Sequence, residues 1–134
     1  MEIALGYVLC WEPRCLWRRY SGRLTGQEIV SSLREICADP RFDDIRAIIS
    51  DFGAVEGLVV SEDEAALIAA LQIGAGFTNP HIRIVQVATN ATLVAELTRL
   101  VHLFEPSIRL SFHATVADAR AWLRAEGVAI ASGC

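Results

Sequence analysis

The stretch RAIISDFGAVEGLVVSEDEAALIAALQIGAGFTNPHIRIVQVA, residues 46–88, decides the fold. It opens on Arg46-Ala-Ile-Ile-Ser-Asp51, a short apolar run with the look of a strand buried on both faces. It closes on a second run of the same kind, Ile82 to Ala88. Between them, after a loop containing Gly53 and Gly57, lies the capping box Ser61-Glu62-Asp63-Glu64. A hydroxyl at the N-cap and a carboxylate three residues on satisfy each other's free backbone donors. This predicts a helix from Glu62 to about Ile73, with Gly74-Ala75-Gly76 as its C-cap. Strand, helix and strand of these lengths make a right-handed parallel crossover.

Toward the N-terminus, Ile3, Leu5, Tyr7, Leu9 and Trp11 alternate with smaller or polar neighbours, the period of a half-buried strand. Glu12-Pro13-Arg14 breaks it and Cys15 to Ser21 resumes, so the two strands form an antiparallel hairpin. Thr25-Gly26-Gln27-Glu28 is another capping box, followed by the helical stripe Ile29, Leu33, Ile36 and Cys37 and stopped by Asp39-Pro40.

Beyond residue 88, Thr89 or Asn90 caps a third helix with the inward stripe Leu93, Val94, Leu97, Leu100, Val101 and Phe104. Ile108 to Phe112 is a fifth strand. Thr115 opens a last helix through Val116, Ala119, Trp122 and Leu123, with Trp122 as its large anchor against the sheet and Gly127 as its stop. The order is β-β-α-β-α-β-α-β-α. The expected fold is α/β: a five-stranded mixed, mostly parallel sheet with a β-hairpin start and four helices, one domain over residues 1–134.

Composition narrows the function. The chain is 53% hydrophobic and 21% charged, which excludes disorder. Its net charge is -4, with arginine but no lysine, a poor match to a nucleic-acid or anionic-membrane binder. Cys10, Cys15, Cys37 and Cys134 form no C-x-x-C pair and have no histidine at zinc-site spacing. Met1-Glu2-Ile3 lacks the basic start and apolar run of a secretory signal. The reading is of reduced thiols in a cytoplasm, with a Cys10–Cys15 bridge across the hairpin turn as the alternative. The uncharged segment Ala65–Ile82 is interrupted by Gln72, Gly74, Gly76 and Pro80, so it reads as a buried helix and loop rather than an integral membrane segment.

Four short pieces come in a telling order: Tyr20-Ser21-Gly22-Arg23-Leu24-Thr25, Asp39-Pro40-Arg41-Phe42, Asp51-Phe52 and Ala119-Arg120-Ala121-Trp122-Leu123. With them the chain resembles the SpoIIAA-like branch of the STAS fold, a group also compared with the lipid-binding CRAL-TRIO domains. The resemblance implies a small regulatory or binding module with no established enzymatic activity. In the anti-sigma-factor antagonists of that fold, a serine opening the helix after the third strand is phosphorylated. The comparable position is Ser61, although those relatives carry Asp-Ser-Ser-Gly where this chain has Val59-Val60-Ser61-Glu62. A plain N-cap is the structural meaning of Ser61, and Glu62, Asp63 and Glu64 would repel an added phosphate.

In a parallel sheet the turns after strands three, four and five emerge at one edge, where ligands of open α/β sheets bind. Asp51, Ser61, Asn90 and His113 are therefore candidate switch or ligand-edge residues. As a hydrolase triad, Asp51, His113 and Ser61 lack the glycine-flanked elbow that a serine nucleophile needs. His81, His102 and His113 are too scattered for a metal, and His102 reads as a partly buried structural histidine. Arg14, Arg18, Arg19 and Arg23 interleave with Trp11, Trp17 and Tyr20 around the second strand. Their ordinary meaning is arginines snorkelling over an apolar face, with Trp17, Arg18 and Arg19 as the candidate partner surface. The expectation is a non-catalytic module without cofactor or metal, binding a protein partner or a small apolar ligand, with homodimerisation a further expectation. The Ala65–Ile82 segment is the expected source of its groove or interface. The alternatives are a phosphorylation-switched anti-sigma-factor antagonist acting through Ser61 and the hydrolase.

Overall fold

The hairpin turns at Pro13-Arg14, where Arg14 takes a φ of 69°. In the computed structural model, which describes residues 6–104 and 110–130, it joins β1 (Tyr7–Glu12) to β2 (Cys15–Thr25). Tyr7 lies opposite Tyr20 and Glu12 opposite Cys15. Then follow α1 (Gly26–Ala38), a 3-10 turn (Pro40–Asp43), β3 (Ala47–Val59), α2 (Glu62–Thr78), β4 (Arg83–Val87), α3 (Ala91–Phe104), β5 (Phe112–His113) and α4 (Val116–Ala125). The element order is the one read from the sequence. Ile3, Leu5, Ile108, Cys134 and the side chain of Phe104 lie outside the described residues.

The strands stand in chain order, β1-β2-β3-β4-β5, with β2 to β5 parallel. Right-handed crossovers that always step the same way must place every connecting helix on one face. Accordingly α1, α2 and α3 cover one face, around Tyr20, Leu24, Ile29, Leu33, Phe52 and Leu97. The helix after the last strand falls on the other face, where Ala119 and Leu123 of α4 pack on Cys15, Ala47, Ile49 and Val85.

β3 is far longer than residues 46–51, and Gly53 and Gly57 sit inside it rather than in a loop. A strand is held by its partner more than by its own propensity. Here β2 runs on to Thr25 and pairs with β3 as far as Val59. Register shifts at Arg19/Ser21 and Gly22/Arg23 absorb the irregularity, and Gly22 accepts a φ of 69° there.

α2 likewise runs through Gly74 and Gly76, which are not its C-cap. The cap is the buried Asn79, whose Nδ2 donates to the carbonyls of Phe42 and Ile45, each at 2.9 Å. That anchor outweighs the cost of glycines in a helix, about 1 kcal/mol each. Both capping boxes form as read, Thr25 with Glu28 and Ser61 with Glu64.

Three positions expected to lie wholly or partly inside turn outward. Cys37 is exposed while its neighbour Ile36 fills the core, and His102 is exposed on α3. Trp122 is 36% exposed and rests on the His113 ring with centroids 5.4 Å apart. What anchors α4 is Arg120, whose Nη1 and Nη2 donate to Oε1 and Oε2 of Glu12 at 2.6 and 2.7 Å. Enclosing that pair turns Ala119, Arg120 and Leu123 toward the sheet and leaves Trp122 at the side. Cys10 is disulfide-bonded, whereas Cys15 and Cys37 are free thiols. The Cys10–Cys15 bridge is thus absent, and the expectation of reduced thiols does not hold at Cys10.

Candidate functional site

Strand pleating separates the three residues expected to form one partner surface, because successive side chains point to opposite faces. Trp17 and Arg19 lie on the α4 face. There the Trp17 Nε1 donates to Asp51 Oδ2 at 3.1 Å, and the Arg19 guanidinium sits 4.5 Å over the Trp17 ring. Arg18 points the other way, under α1, α2 and α3, and is only 3% exposed. It belongs to no surface.

The register makes Arg18 part of a row. It pairs with Ser50 on β3, and Ser50 pairs with Gln86 on β4, so three polar residues cross the middle of an apolar sheet face. All three are buried. Arg18 Nη2 donates to Ser50 Oγ at 2.6 Å, and its Cζ lies 5.2 Å from the Tyr20 ring centre. Arg18 Nε, Arg18 Nη1 and Gln86 Oε1 meet no hydrogen-bond partner among the described residues. Buried polar groups are normally satisfied, so a cluster of orphans marks a place the fold itself does not complete.

Above this row opens a cavity of about 250 Å³. Its floor is Arg18, Ser50 and Gln86 together with Tyr20 and Phe52, whose rings stack with centroids 5.2 Å apart. The Tyr20 hydroxyl is fixed to Ser32 Oγ at 2.7 Å, and burial raises its pKa, so the ring is a neutral wall. The roof is Ile29 of α1, Ala65, Ile68 and Ala69 of α2, and Leu97 and Leu100 of α3. The space exists because α2 presents alanines here, side chains too small to reach the sheet. Arg18 is the lone ionised side chain among the described lining residues.

The four edge residues do not converge. Asp51, Val87 and His113 are successive register partners, which sets Asp51 and His113 two strands apart, about 10 Å. Both lie on the α4 face. Asp51 Oδ1 also accepts from the Gly53 N–H at 2.9 Å, and Ser111 Oγ is 2.9 Å from His113 Nε2. Ser61 comes only after β3 has run on to Val59, roughly 25 Å along the strand, and its hydroxyl accepts from the Glu64 N–H. Asn90 Oδ1 accepts from the Leu93 N–H and caps α3. The triad geometry is not formed. No metal-holding group of His, Cys, Asp or Glu occurs among the described residues, and no described helix is long and apolar enough to cross a membrane.

Sequence reasoning missed the polar row. Its signal was Gln86 in the middle of Ile-Val-Gln-Val and Ser50 ending Ile-Ile-Ser, each an inward position of a strand buried on both faces.

Similarity to solved structures agrees with this architecture. The chain is similar to the anti-sigma factor antagonist SpoIIAA in its unphosphorylated form, with 14% identity and a TM-score of 0.56 over 91% of this chain and 99% of that one. It is also similar to an uncharacterised DUF3478-family protein with a SpoIIAA-like fold from Shewanella loihica PV-4, with 22% identity and a TM-score of 0.56 over 92% of this chain and 98% of that one. The fold is SpoIIAA-like. No protein-family model matches the chain, and no curated protein matches it.

Proposed function

We propose that this chain is a non-catalytic binding module that takes a small apolar ligand between its sheet and helices α1 to α3. The observation that supports it is the cavity of about 250 Å³, roofed by aliphatic side chains of three helices and closed below by stacked aromatic rings. Concave, mostly apolar sites with a few fixed polar groups are the usual form of small-molecule pockets. Occupancy would reach a protein partner or a second copy of the chain through α2, which lines the cavity and exposes Leu67 and Phe77 outward. The test is calorimetric titration with 1-octanol. The wild-type protein is expected to bind it saturably, and Ala69→Phe, which fills the cavity from α2, to lose that binding while keeping its circular dichroism spectrum. Absence of binding to the wild type removes the proposal.

A second reading, a phosphorylation-switched antagonist, draws on the exposed position of Ser61 directly after β3 and on the likeness to SpoIIAA. Mass spectrometry after incubation with candidate kinases decides it: a phosphate on Ser61 supports it, and an unmodified Ser61 ends it.

A further inference from the structure

The polar row raises a question of charge. A guanidinium holds its proton at any ordinary pH, and Arg18 is buried at 3% exposure. Its one hydrogen-bond partner among the described residues is the neutral Ser50 hydroxyl, and no described carboxylate lies within ion-pair distance. The other enclosed arginine among the described residues, Arg120, shows the ordinary solution, a bidentate carboxylate. An enclosed cation without a counter-charge is costly to desolvate, and the neutral Ser50 hydroxyl and the Tyr20 ring return only part of that cost. Such a group persists where something outside the chain completes it. Arg18 lines a cavity into which that something fits, and no acidic side chain competes for it there among the described lining residues.

We infer that the cavity takes a small apolar monocarboxylate, its carboxylate set against the Arg18 side of the floor and its hydrocarbon part under Ile68, Leu97 and Leu100. This deepens the binding reading above and rests on it. At roughly 30 Å³ per water-sized group, about 250 Å³ holds about eight such groups, the size of a medium-chain acyl or a phenyl-substituted acid. The carboxylate supplies the missing negative charge in a low-dielectric setting, where the attraction is strong. Gln86, whose Oε1 is unpartnered at the other end of the row, is placed for a hydroxyl or amide hydrogen farther along the ligand. A neutral apolar ligand would leave both groups as they are, so the floor selects for the acid.

The experiment titrates the full-length protein with octanoate and with 1-octanol, which share a chain length and differ in charge. Octanoate is expected to bind about tenfold tighter or more, the scale of one charge-assisted hydrogen-bonded contact. Arg18→Met, which keeps the volume and removes the charge, is expected to erase that preference and retain octanol binding. Equal affinities of the wild type for the two probes overturn the assignment of Arg18 while leaving the apolar cavity standing; binding of neither overturns both. The wild-type comparison decides alone if the variant does not fold. A third titration with 3-phenylpropanoate separates the sources of the carboxylate: tighter binding than octanoate assigns an aromatic acid, weaker binding an acyl chain.

Discussion

Replacing Arg120 by methionine tests how α4 is held. The guanidinium and the Glu12 carboxylate are 4% and 2% exposed as side chains and meet through two hydrogen bonds of 2.6 and 2.7 Å. Methionine keeps most of the volume but strands the Glu12 carboxylate in the protein, a situation that costs about 3–5 kcal/mol. A domain of this kind has only about 5–15 kcal/mol in total, so the variant is left close to its threshold. With a urea m-value of about 1.5 kcal/mol/M, the unfolding midpoint at pH 7 is expected to fall by about 2–3 M. The matched control is Glu12→Leu in the same chain. With both charges gone, neither is stranded, and the double variant is expected to recover to wild-type stability or rise above it by about 1–4 kcal/mol. Urea unfolding followed by tryptophan fluorescence and circular dichroism gives both numbers. An Arg120→Met variant within about 1 kcal/mol of the wild type, or a double variant less stable than the single one, refutes the idea that this enclosed pair fixes α4.

Three other outcomes follow from the same packing. Arg18→Met is expected to stabilise the unliganded protein by about 1–4 kcal/mol in urea unfolding, since it removes an enclosed charge that has no counter-ion; a loss of stability contradicts that account. Trp122→Ala is expected to cost only about 1–2 kcal/mol, because the ring is 36% exposed and water fills the gap; a loss above about 3 kcal/mol, as for a core tryptophan, refutes it. In thiol labelling at neutral pH, the exposed Cys37 is expected to react in the native protein and Cys15 only after unfolding. Burial, and then the charge of Glu12, push the Cys15 thiol up to about 11, so little thiolate forms; prompt native labelling of Cys15 contradicts this.

The order of elements was legible because it is written in local signals. Capping boxes at Thr25 and Ser61, the Asp39-Pro40 stop and the period-2 runs each act over a few residues. What depended on distant partners was not legible. β3 passes through Gly53 and Gly57 because β2 is there to pair with it, and α2 passes through Gly74 and Gly76 because Asn79 finds carbonyls more than thirty residues away. The rotation of α4 was misjudged for the same reason, since the sequence lists Trp122 but not the carboxylate waiting for Arg120. The candidate site was half legible: the uncharged Ala65–Ile82 segment does supply Ala65, Ile68 and Ala69 to the cavity roof. Its floor was hidden, because Arg18 among other arginines reads as surface until the pleat and the register show which way it points.

The Glu12–Arg120 pair also orders events in time. Its two halves are 108 residues apart, and the ribosome makes the carboxylate first. Until α4 has emerged, a nascent chain can roof one side of its sheet with α1 to α3 while Cys15, Ile49 and Val85 remain bare on the other. Docking of this one helix covers that side and withdraws Glu12 from water in the same stroke.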